Sequence, residues 1–145
     1  MKKLLIVLVV GVLVYGYIDQ NPALLESYTQ PQEGGSDARL AQAYEEQLSD
    51  LQVAGAGEVV HLLPDDNQGS RHQKFILRLA TGQTLLISHN IDLAPRIDSL
   101  REGDRVEFYG EYEWNPKGGV VHWTHHDPRG RHEGGWLKHR GVTYQ

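Results

Sequence analysis

The sequence contains no cysteine. Disulfide staples, thiolate metal sites, thiol nucleophiles and a lipid-modified N-terminal cysteine are therefore excluded, and the fold has to be held by its core alone. With 145 residues there is room for about one domain, not two enzymatic ones. The chain also lacks a Walker phosphate loop and a Gly-x-Ser-x-Gly or Gly-Asp-Ser nucleophile turn. Gly118-Gly119 falls in a hairpin turn, not before a helix. Positive charge is in short supply: Lys and Arg number 14 against 19 Asp and Glu, a net of −5. That balance counts against tight, sequence-independent binding of nucleic acid.

What is present is unevenly placed. All eight histidines lie beyond residue 60, and residues 1–54 carry most of the net negative charge. Lys2 and Lys3 precede an unbroken apolar run over 4–14, the charged and hydrophobic regions of a secretory signal. Residues 1–16 are read as that signal, cut after Val14-Tyr15-Gly16, which predicts a periplasmic or secreted protein. The alternative is a short anchor in the inner membrane over 4–18, below the roughly 20 residues of a comfortable span. Residues 17–35, with Asn21-Pro22, Gln30-Pro31 and Gly34-Gly35, read as linker. Ser36 or Asp37 can cap a helix over 36–52, in which Leu40, Tyr44, Leu48 and Leu51 share one face.

Beyond Gly55-Ala56-Gly57 the pattern becomes strands separated by turns. Five are predicted, over 58–63, 72–79, 84–90, 105–114 and 120–126, with a connection over 91–103 before the fourth. A small closed barrel suits this set, because closure removes exposed edges. Alternation assigns Phe75, Leu77, Leu79, Leu85, Ile87, Val106, Phe108, Tyr112, Trp114, Val121 and Trp123 to the interior. A glycine-rich, basic strap over 117–145, with Trp136 as its plug, is expected to close it.

Two stretches, Gly57-Glu58-Val59-Val60 and Leu100-Arg101-Glu102-Gly103-Asp104-Arg105-Val106-Glu107-Phe108-Tyr109-Gly110, resemble the oligonucleotide/oligosaccharide-binding barrel, in which a Gly-Asp turn leads the fourth strand. The chain from residue 40 onward also resembles a family of short exported bacterial proteins of unknown function. Pro64-Asp65-Asp66, Arg71-His72-Gln73-Lys74-Phe75-Ile76, His89-Asn90-Ile91-Asp92 and His122-Trp123-Thr124-His125-His126-Asp127-Pro128 carry that likeness. The resemblance implies a mainly β, five-stranded OB-like domain over 55–145 behind an amphipathic helix, and it implies no activity.

Chemistry is sought on the outward set: His72, Lys74 and Arg78, then Glu107, Tyr109, Glu111 and Glu113, then His122, Thr124 and His126. His122 and His126 stand about 13 Å apart along a regular strand and cannot share one ion. The expected metal trio is His72, Glu111 and His122, holding zinc, manganese or nickel through imidazole and carboxylate. His125 and His126 are expected to turn toward a second cluster with His132 or His139. Without a metal, His72, Glu111, His122 and His125 have the types for general acid–base cleavage of a phosphodiester, and Arg71 or Lys74 the charge to stabilise the phosphate. Arg129, Arg131 and Trp136 offer phosphate contacts and a stacking plane. The leading expectation is an exported phosphodiester hydrolase, a nuclease, acting with or without a metal. Its rival is a non-catalytic binding module for a polyanion such as nucleic acid, a glycan or an envelope protein.

Overall fold

The computed structural model describes residues 33–145 together with positions 17 and 20. The segment read as a signal over 1–16, and most of the linker read over 17–35, lie outside the described residues. Among those described, no helix is long and apolar enough to cross a membrane. Residues 33–145 form one compact unit, built from a helix α1 (Glu33–Glu45) and seven strands: β1 (Leu51–Leu62), β2 (His72–Arg78), β3 (Thr84–Asn90), β4 (Arg105–Glu113), β5 (Val120–His122), β6 (Trp136–His139) and β7 (Val142–Tyr144).

Helix α1 ends earlier than the apolar spacing predicts. Gln47 takes a left-handed φ of 54°, the Gln47 N–H donates to the Tyr44 carbonyl and the Leu48 N–H to the Ala43 carbonyl. That pair of bonds is a Schellman cap, and it stops the helix before Leu48 and Leu51 can join it. Ser36 and Asp37, expected as caps, lie inside the helix. Leu40 and Ala43 are its buried apolar residues, and Asp37 is buried with them.

Strand β1 closes the barrel by pairing twice. Residues 51–58 run antiparallel to β4, and residues 58–62 run antiparallel to β2 with an irregularity between Val59 and His61. The order β1-β2-β3-β5-β4 returns to β1, and β3 runs parallel to β5. This is a closed five-stranded OB-like barrel. Its first strand is twice as long as expected because Gly55-Ala56-Gly57, read as a break, is strand. Gly55 is needed there, since a Cβ on it would stand 2.6 Å from the Phe108 ring.

The interior matches the alternation for Phe75, Leu77, Leu79, Leu85, Ile87, Val106, Phe108, Tyr112 and Val121, all buried. The 91–103 connection adds Ala94, Ile97 and Leu100, and the buried Gln73 side chain clasps Ile97 by donating to its carbonyl and accepting from its N–H. Trp114 is only partly buried, with its indole N–H donated to the Tyr44 carbonyl. Trp123 is a correction. Its φ of 54° ends β5 at His122, and the ring leaves the barrel. The same turn puts Thr124, expected outside, in the buried set. The strap is a second correction: residues 136–144 form a hairpin on β4, with positive φ at Arg140 and Gly141 as a two-residue turn requires. Leu137 and His139 are the buried residues of that hairpin, not Trp136.

Candidate functional site

Strand β4 alternates cleanly, with Val106, Phe108, Gly110 and Tyr112 buried and Glu107, Tyr109, Glu111 and Glu113 half-exposed on the outer face. The β4–β5 hairpin turns through 114–119, where the Asn115 carboxamide oxygen accepts the N–H groups of Lys117 and Gly119. That turn sets Glu113 opposite Val120 and Glu111 opposite His122. On the other side of β4, Gln52 of β1 lies opposite Glu111. Close approach of the strands depends on Gly110, because a Cβ there would lie 2.5 Å from the His122 carbonyl oxygen.

Glu111, Glu113 and His122 each present a ligand atom, and these atoms all lie within 4.8 Å of one another. His122 Nε2 is 3.3 Å from Glu113 Oε1. It is buried and has no hydrogen bond, and the buried Gln52 Nε2 is likewise unpartnered. An imidazole nitrogen left unbonded beside two carboxylates is a costly arrangement that a cation would relieve, whereas the Gln52 amide is a donor and calls for an acceptor instead.

The loop over 123–135 folds back across this cluster. Asp127 organises it, its carboxylate accepting the backbone N–H groups of Arg129, Arg131 and His132 at 2.9–3.0 Å. Those three bonds hold its carboxyl down at about 2. His132 is thereby aimed at β4. Its ring stacks on Trp123 with centroids 4.0 Å apart, its Nδ1 meets the Glu133 carbonyl at 2.7 Å, and its Nε2 bonds Glu111 Oε2. Burial of the ring opposes its protonation, and the Glu133 carbonyl and Glu111 outweigh that, raising its pKa. Beside it the Tyr109 hydroxyl donates to Glu133 Oε1, a bond that raises the phenol pKa.

The structure brings Glu111 and His122 together as expected, and places His72 elsewhere. His72 starts β2, opposite Asn90 of β3, so β3 stands between it and β5. Two strand spacings amount to roughly 10 Å. His72 is not in the close group, and its Nδ1 meets the Ser70 carbonyl. His125 is 4% exposed, gives its Nδ1–H to the His126 carbonyl and accepts the Gly135 N–H on its own. Arg71 is committed to Asp92 through both its backbone N–H and its guanidinium, and these bonds lower the Asp92 pKa. Lys74 lies on β2, half-buried. Arg129 and Arg131 are exposed on the loop. Trp136 is half-buried, with Lys138 Nζ 5.1 Å above its ring and Tyr109 alongside. His139, expected near His125, is instead the buried last residue of β6, and its Nε2 donates to Asp104.

Two members of the site, Glu113 and His132, were absent from the expected ligand trio. Glu113 was legible, since a hairpin that pairs residue 113 with 120 places 111 and 113 on one face beside 122. His132 was not, because its approach depends on the folded path of a loop.

No match was found among curated proteins. The profile described as a protein of unknown function, DUF3465, matches residues 23–145. This covers most of the chain, so the protein belongs to the DUF3465 family.

Proposed function

We propose that this is an exported OB-like domain that hydrolyses phosphodiesters at a divalent-metal centre formed by Glu111, Glu113 and His122. The observation that carries this reading is the convergence of two carboxylates and one imidazole within 4.8 Å on the β4–β5 hairpin. A divalent ion held by them would act as a Lewis acid and lower the pKa of a bound water toward neutrality. Carboxylate and imidazole without thiolate suit zinc, manganese or nickel. Arg129 and Arg131, exposed on the loop that carries His132, supply positive charge for a phosphate beside the cluster. His72 takes no part in the centre, and Arg71 spends its charge on Asp92. Export rests on the charged and apolar start of the chain.

The test is metal analysis of the purified protein, followed by incubation with bis(p-nitrophenyl) phosphate and with single- and double-stranded DNA and RNA. Metal should co-purify or be taken up at one equivalent. Glu113→Gln and His122→Ala should each lower turnover by at least about 100-fold with the fold retained. Undiminished turnover in both variants would refute the centre. A second reading, a non-catalytic module for a polyanion, is favoured by the OB-like barrel and by exposed Arg129 and Arg131. Salt-sensitive binding of DNA, RNA or an anionic glycan without cleavage would put it first.

A further inference from the structure

We infer that His132 is a fourth ligand, so that the centre is a two-histidine, two-glutamate site for a first-row transition ion such as zinc, manganese or nickel, not for magnesium or calcium. The inference rests on the metal reading of Glu111, Glu113 and His122 and adds to it the loop that no strand pattern includes.

The case begins with donors and acceptors. His132 Nδ1 lies 2.7 Å from the Glu133 carbonyl oxygen, a group that only an N–H can satisfy. Its Nε2 faces Glu111 Oε2, a second acceptor. Without an ion a proton bridges the two atoms, and a metal ion takes its place only once they move apart, since each ligand atom needs about 2 Å to the ion. An Nδ1–H given to a backbone carbonyl is also how metal-bound histidines are commonly oriented, with Nε2 left to ligate.

Positioning comes next. Three elements restrain the ring independently: the Trp123 face 4.0 Å away and 8° from parallel, the Asp127 carboxylate on the His132 backbone N–H, and the Glu133 carbonyl. Fixing a side chain this way is costly in entropy and is characteristic of a preorganised ligand. Across the strand, His122 Nε2 is buried without a hydrogen bond. An ion about 2 Å from each ligand atom would satisfy His122 Nε2, and His132 Nε2, which stands outside the close group of Glu111, Glu113 and His122, would exchange its bond to Glu111 for the ion.

Ligand chemistry then selects the ion. Magnesium and calcium take oxygen ligands, whereas two imidazoles with two carboxylates favour zinc, manganese or nickel.

X-ray absorption spectroscopy on the full chain loaded with zinc counts imidazoles directly. Two are expected for the wild type and one for His132→Ala and for His132→Gln, with zinc affinity, read by calorimetry, reduced by more than the roughly 10- to 100-fold that loss of an outer-shell partner costs. Circular dichroism checks that each variant is folded, and the glutamine variant retains a polar side chain should alanine disturb the loop. One imidazole in the wild type, or two in both His132 variants, would overturn the inference while leaving the three-residue centre standing. Failure of zinc, manganese and nickel to bind the wild type at all would overturn both. Displacement of zinc by a modest excess of magnesium would overturn the ion class.

Discussion

Phe108 and Trp123 are both aromatic, both in stretches that the sequence reads as strand, and their environments differ completely. Phe108 is fully buried against Gly55 of β1. Phe108→Ala should cost about 3 to 5 kcal/mol, a large part of the 5 to 15 kcal/mol available to a small domain. Trp123 is half-buried outside the barrel, where it stacks on His132. Trp123→Ala should therefore shift the urea midpoint much less, and its main effect should fall on metal affinity. Equal shifts for the two variants would contradict the placement of Trp123. Alternation counts every second residue inward and is blind to a left-handed φ, so Trp123 could not be read correctly from the pattern. His72 teaches a similar lesson, because its residue type suits catalysis and its strand is wrong. His72→Ala should leave metal content and affinity unchanged, and loss of either would restore it to the site.

At the level of elements, the strands with regular alternation were legible almost residue by residue: β2, β3 and β4 begin where the sequence places them. Those that failed did so for local reasons. The Gly55-Ala56-Gly57 stretch reads as a break, yet β1 passes through it because the glycines admit the Phe108 ring and the β2 backbone. The 136–144 hairpin was hidden by flanking glycines and by its own brevity. The site divides the same way. Glu111 beside His122 follows from strand register, whereas His132 is delivered by a loop whose shape is set by Asp127 and three backbone N–H groups. If that carboxylate positions His132, Asp127→Ala should lower zinc affinity about 10- to 100-fold without touching a ligand. The far-ultraviolet dichroism should be preserved. Unchanged affinity in a folded Asp127→Ala protein would show that the loop holds its shape by other means.

Three separate parts of the molecule meet at His89, which lies at the same barrel end as the site loop. Its ring is fully buried, its Nε2–H donates to the Pro95 carbonyl in the 91–103 connection, and its Nδ1 accepts from the Thr124 hydroxyl in the site loop. Burial pushes its pKa from 6.5 to about 4, and the nearby His125 and His72 push it the same way. The unfolded chain thus binds a proton here between about pH 6.5 and pH 4 while the folded protein does not. Stability from this group is complete above pH 6.5 and is lost as pH falls toward 4, by about 3 kcal/mol in all. His132, with its pKa raised, contributes fully throughout that window and does not alter the slope. The lowered carboxyls of Asp127, Asp92 and Asp104 withdraw their contributions only below about pH 3.8. Urea midpoints measured across pH 4 to 7 should therefore fall steadily on the acid side. His89→Gln can give one hydrogen bond to Pro95 and take one from Thr124 without titrating, so its curve should be flatter in the same range. An equally steep fall in the glutamine variant would assign the acid sensitivity to other groups and leave His89 as a packing residue alone.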